Sequence, residues 1–71
     1  MVSVKQGKCY RIYHDRKGGF VVKVDKVAGL VASCTIIQGK AYYLSEPDRG
    51  PGERILLSID GELMKWYPVE T

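Results

Sequence analysis

The sequence predicts an all-β chain, a small antiparallel barrel of five to six strands, and three observations predict it. Six short runs, residues 8–14, 19–27, 30–37, 40–44, 54–60 and 62–67, are rich in Val, Ile, Leu, Tyr and Thr, which fit a pleated, half-buried surface. Almost every break between them carries glycine, at Gly18-Gly19, Ala28-Gly29, Gln38-Gly39, Gly50 to Gly52 and Asp60-Gly61, where positive φ comes without steric cost. Finally, 71 residues make one domain with no material for a second layer, so a sheet must enclose its own core.

The elements follow in order. In the first hairpin, Phe20, Val22 and Val24 alternate with Val21, Lys23 and Asp25, which marks one face as apolar. Tyr10 and Ile12 are its inward partners, leaving Cys9, Arg11 and Tyr13 outside beside Val21 and Lys23. Residues 30–37 are apolar on both faces: Leu30, Ala32, Cys34 and Ile36 form one, Val31, Ser33, Thr35 and Ile37 the other. A strand of that kind is central or covered on its second side. Val31, Thr35 and Ile37 are therefore expected at a protein interface, with a second copy of this chain or another protein as its occupant.

Residues 40–44 read as a further strand after a Gln38-Gly39 turn, and residues 45–53 as a loop, because Pro47 and Pro51 remove ladder donors. Ile55, Leu57 and Ile59 then alternate up to Asp60-Gly61, a type I′ hairpin signal. The last run returns to Tyr67, and Pro68 ends it. Either Met64 and Trp66 or Leu63 and Tyr67 face inward; the pattern leaves both open.

Composition narrows the class. The chain is 45% hydrophobic, too apolar for disorder, and no apolar stretch approaches the roughly 20 residues that span a bilayer. The first residues lack a basic region followed by an apolar core, so no secretory signal is read and a cytoplasmic protein without membrane contact is expected. Two cysteines, Cys9 and Cys34, make neither a disulfide framework nor a zinc site, and reduced thiols are expected. Residues 1–40 hold eight basic against two acidic side chains, a net of +6; residues 41–71 hold three against six, a net of −3. That asymmetry favours a polyanionic partner on one side, set against the ordinary need of strands for charged outer faces.

Catalytic signals are absent. His14 beside Asp15 has no nucleophile near it in sequence and reads as a turn residue; Glu46, Asp48 and Glu53 are interleaved with Arg49 and Arg54, as solvated loop charges are. The glycine pairs fit no phosphate-loop spacing. No enzyme, metal or cofactor is expected.

The pattern with functional content is basic and aromatic. Arg11, Tyr13, Arg16, Lys17 and Lys23 converge on the outer face and tip of the first hairpin, with Lys8 and Lys26 at its other end. Cations neutralise phosphates, and an exposed Tyr13 can stack on a base or sugar. The stretch from Lys5 through Ile12, the basic tip, Gly18-Gly19 and Phe20 to Val24 resembles SH3-like small barrels, loosely the KOW type of transcription and ribosomal proteins. That resemblance covers about 20 of 71 residues and implies the fold; such barrels bind nucleic acids and peptides alike. The ending Lys65-Trp66-Tyr67-Pro68-Val69 is similar to the last strand of plasmid-type dihydrofolate reductases, whose pore carries Gln-Ile-Tyr. Lys65 and Trp66 replace the first two residues and only Tyr67 matches, so reductase activity is not implied. The expected function is a non-catalytic module contacting nucleic acid or a nucleoprotein complex. The alternative is a protein-interaction adaptor, as in small phage or mobile-element proteins, using the apolar strand face or residues 45–53.

Overall fold

The computed structural model describes residues 4–44, 47–60 and 64–69. Five antiparallel strands form one sheet: β1 (Cys9–His14), β2 (Gly18–Ala28), β3 (Val31–Gly39), β4 (Arg54–Ser58) and β5 (Met64–Pro68). Their order is β4-β3-β2-β1-β5, so the chain meanders through four strands and the fifth returns to pair with the first. No pairing of β4 with β5 joins the two edges among the described residues. The expectation of an all-β chain of at least five strands holds; the sheet itself is open.

One face of this sheet is the core. Tyr10 and Ile12, Phe20, Val22 and Val24, Ala32, Cys34 and Ile36, Ile55 and Leu57, and Met64 and Trp66 form a single buried cluster. All five strands thus contribute alternate residues to one core, and Ala41, Val4, Tyr43 and Ile59 from the flanking segments pack with them. The last strand, ambiguous in sequence, turns Met64 and Trp66 inward and Lys65 and Tyr67 outward. Trp66 meets Tyr10 edge to face at 5.6 Å, while its indole N–H finds no acceptor among the described residues.

Two irregularities escape period-2 counting. Val21 pairs with Gln38 but Val22 with Ile36, so Ile37 is an inserted residue in β3; Val24 pairs with Cys34 but Lys26 with Ser33, so Asp25 is inserted in β2. The Thr35 hydroxyl donates to the bulged Asp25 carboxylate across the strands.

Three expectations need correction. Residues 40–44 are not a strand: a single Ala41–Arg49 bridge is all that forms, and the Tyr42 N–H donates to the Lys17 carbonyl (3.1 Å) instead. The facing segment contains Pro47 and Pro51, which have no N–H to extend a ladder. Gln38-Gly39 is no turn but the end of β3, where Gly39 (φ +84°) pairs with Phe20. Leu30 does not join Ala32, Cys34 and Ile36; it lies in the β2–β3 turn, 62% exposed. Gly61 and Leu63 lie outside the described residues, as does Glu46.

Candidate nucleic-acid interface

The outer face of β1, β2 and β5 collects the expected residues. Arg11 sits between Tyr67 of β5 and Val21 of β2, while Tyr13 sits between Lys65 and Gly19. Lys23 lies one pairing step further, opposite Cys9. Val21 points outward, yet it is only 4% exposed, the apolar centre of an otherwise polar face. Tyr13 and Tyr67 are 51% and 47% exposed and touch edge to face at 5.6 Å. The Tyr13 ring lies over Gly19, where an added Cβ would meet it at 3.5 Å, an ordinary packing distance.

The remaining expected cations are dispersed. Arg16 and Lys17 occupy the β1–β2 turn, and Lys17 Nζ lies 4.7 Å from the centroid of the Tyr43 ring, which Arg49 also approaches at 4.8 Å. Lys17 therefore faces a groove of about 520 Å³ that Arg16, Tyr42, Tyr43 and Leu44 also line, rather than the outer face of the hairpin. Lys8 is at the opposite end of the sheet in a cleft with Lys5, Trp66 and Pro68. Lys26 lies past the Asp25 bulge, beyond the last β1 pairing. Of the seven residues, Arg11, Tyr13 and Lys23 share one surface, and Lys65 and Tyr67 join them from β5. Sequence alone misses that pair because its pattern leaves the inward set of the last strand undecided.

Val31 and Ile37 are about half exposed, and Thr35 is partly buried by the Asp25 contact. They lie on the outer side of β3, where Leu56 of β4, 69% exposed, stands opposite Ser33. This apolar surface adjoins the cationic one on the same face of the sheet, where Thr35 pairs with Lys23.

His14 is a turn device. Its Nδ1 accepts the N–H groups of Arg16 (3.0 Å) and Lys17 (3.2 Å). Partial burial first, and then the Lys17 charge, hold the imidazole below its ordinary pKa; Asp15 opposes the shift. The unfolded chain therefore binds a proton more readily than the folded one, so stability rises with pH across the range between the two values. Above about pH 6.5, the free imidazole value, the His14 contribution is fully present, and it is lost as pH falls through the folded value. Urea midpoints at pH 5 and pH 7.5 should differ more for the wild type than for His14→Asn, whose side-chain oxygen accepts without titrating. Equal differences would refute the assignment; the chain has one histidine, so no other imidazole confuses the result.

The two thiols are free. Cys34 is in the core, and burial followed by the Asp25 charge pushes it up to about 12. Cys9 is partly exposed on the opposite face of the sheet and two strands away. Two strand spacings are about 10 Å, beyond the roughly 7 Å that a disulfide can span. No three potential metal ligands gather among the described residues. No family model, curated protein or solved structure matches the chain.

Proposed function

We propose that this chain is a non-catalytic binding module that contacts the phosphates of nucleic acid, alone or in a nucleoprotein complex, through the outer face of β1, β2 and β5. The observation that carries this reading is the convergence of Arg11, Lys23 and Lys65 with two half-exposed tyrosines on one face, where Asp25 of β2, held by the Thr35 hydroxyl, is the carboxylate among the described outward positions. Three cations outnumber that carboxylate and keep the face attractive to a polyanion, and neutralising each phosphate releases counterions. An SH3-like closure of the sheet belongs to the same proposal, supported by the strand order and by one core common to both edge strands. Two free thiols agree with a reducing, cytoplasmic setting. No helix among the described residues is long and apolar enough to cross a membrane.

Fluorescence anisotropy against labelled oligonucleotides between about 50 and 200 mM salt tests the reading. Arg11→Gln and Lys23→Gln should each weaken binding and reduce the salt slope by about 1. Lys26→Gln, away from the patch, should leave the slope unchanged. Absence of binding at about 50 mM salt, where electrostatic attraction is strongest, would reject the reading.

A second reading rests on the outer apolar surface of β3 and β4, with Val31, Ile37 and Leu56 exposed. A protein partner or second copy covering it would add core area that a small domain lacks. Light scattering at tens of micromolar should then show a dimer that Ile37→Lys dissociates without unfolding; a monomer at that concentration removes self-association.

A further inference from the structure

Tyr67 and Lys65 on β5, with Arg11 and Tyr13 on β1, form a two-by-two checkerboard. Register puts Tyr67 beside Arg11 and Lys65 beside Tyr13, so each ring has a cation across the strand and another along it. The two rings meet on the diagonal at 5.6 Å, both about half exposed. Strand geometry sets the cell at roughly 5 Å across and 7 Å along. Resting on the proposed nucleic-acid reading, we infer that this checkerboard is a platform for single-stranded polynucleotide, taking two bases on its tyrosines and adjacent phosphates on Arg11 and Lys65.

The rings decide between strand types. In a duplex each base face is covered by its neighbours, so half-exposed tyrosines on a sheet have nothing to stack on, and only the cations would engage. An unpaired strand offers both chemistries in the same alternation: flat apolar bases and the charged links between them. Base–aromatic stacking tolerates any base, which suits a site whose rings are flanked by cations that can reach the phosphates on either side. Val21, buried on β2 beside Arg11, borders the platform without adding a polar group that would favour water.

The test compares four labelled probes on the wild-type chain: a thymidine decamer, a uridine decamer and an abasic decamer of equal phosphate count, and a GC-rich decamer duplex. Both single strands should bind at least about tenfold tighter than the abasic strand and the duplex, the two decamers together distinguishing DNA from RNA. Tyr13→Leu and Tyr67→Leu should each weaken single-strand binding about 5- to 150-fold and leave the abasic probe unaffected. Tyr67→Phe, which keeps the ring, should bind as the wild type does. Arg11→Gln should weaken all four probes. Equal affinity for the decamers and the abasic strand, or tighter binding of the duplex, would overturn the inference while leaving phosphate contact standing. Failure of every probe at about 50 mM salt would remove both. The wild-type comparison requires no variant, so a misfolded leucine variant does not weaken the result.

Discussion

Replacing Phe20 by alanine should cost about 3–5 kcal/mol, the range for truncating a core aromatic, and leave the chain close to unfolded. Phe20 is the largest of the fully buried side chains and stands between Ile12 on β1 and Gly39 on β3. Among the described residues the sheet has no second layer of strands or helices to collapse into the void. At roughly 0.05–0.15 kcal/mol per residue, a chain of this length holds only about 4–11 kcal/mol in total. Each kcal/mol shifts the melting temperature of so small a domain by about 4–8 °C, so the melt should fall by at least about 12 °C. Leu56→Ala provides the contrast. That leucine is exposed on the opposite face, and its truncation should change stability by no more than about 0.5 kcal/mol. Urea unfolding of both variants decides the matter: similar losses would mean that the inner face is not the core.

The second large effect concerns Gly39. Its φ is +84°, and a Cβ added there would lie 3.0 Å from the Gly19 carbonyl oxygen and 3.1 Å from the Phe20 Cα. Both are backbone atoms and cannot swing aside as a side-chain end can. Left-handed strain for a residue with a Cβ costs about 1–2 kcal/mol, and overpacking a further 1–3 kcal/mol, so Gly39→Ala should lose about 2–5 kcal/mol. Gly29 isolates the two contributions. It also has positive φ, +62°, but a Cβ added at Gly29 would meet nothing within 4 Å, so Gly29→Ala should show the strain alone. If the two substitutions cost the same, the close approach of β3 to β2 at Gly39 is not the constraint described.

Where local alternation suffices, the fold is legible. Phe20, Val22 and Val24, with Tyr10 and Ile12 opposite, and Ile55 with Leu57 announce their inward faces by spacing alone, and all are buried. What fails involves partners distant in sequence. Residues 40–44 have strand propensity, but propensity cannot create donors in a facing segment that holds Pro47 and Pro51. The inserted Ile37 and Asp25 are invisible to counting by two, because a bulge is defined by the opposite strand. Parity alone puts Leu30 in the core, yet the chain is still turning there. The candidate site divides along the same line. Arg11, Tyr13 and Lys23 are neighbours within one hairpin and can be placed together. Lys65 and Tyr67 reach them only through β1–β5 pairing, which nothing short-range in the sequence encodes.

That pairing also sets an order of events. Strands β1 to β4 are joined by successive antiparallel contacts, each closing a short or moderate loop, whereas Tyr10 meets Pro68 only when almost the whole described chain is at hand. Loop-closure entropy makes such non-local contacts slow to form. On this ground the fifth strand is expected to dock last. Until it does, Trp66 is missing from the core, and Arg11 and Tyr13 stand without Tyr67 and Lys65 beside them. The proposed platform is therefore complete only when β5 docks: a chain that has built its first hairpin holds Arg11 and Tyr13 but not yet their β5 neighbours.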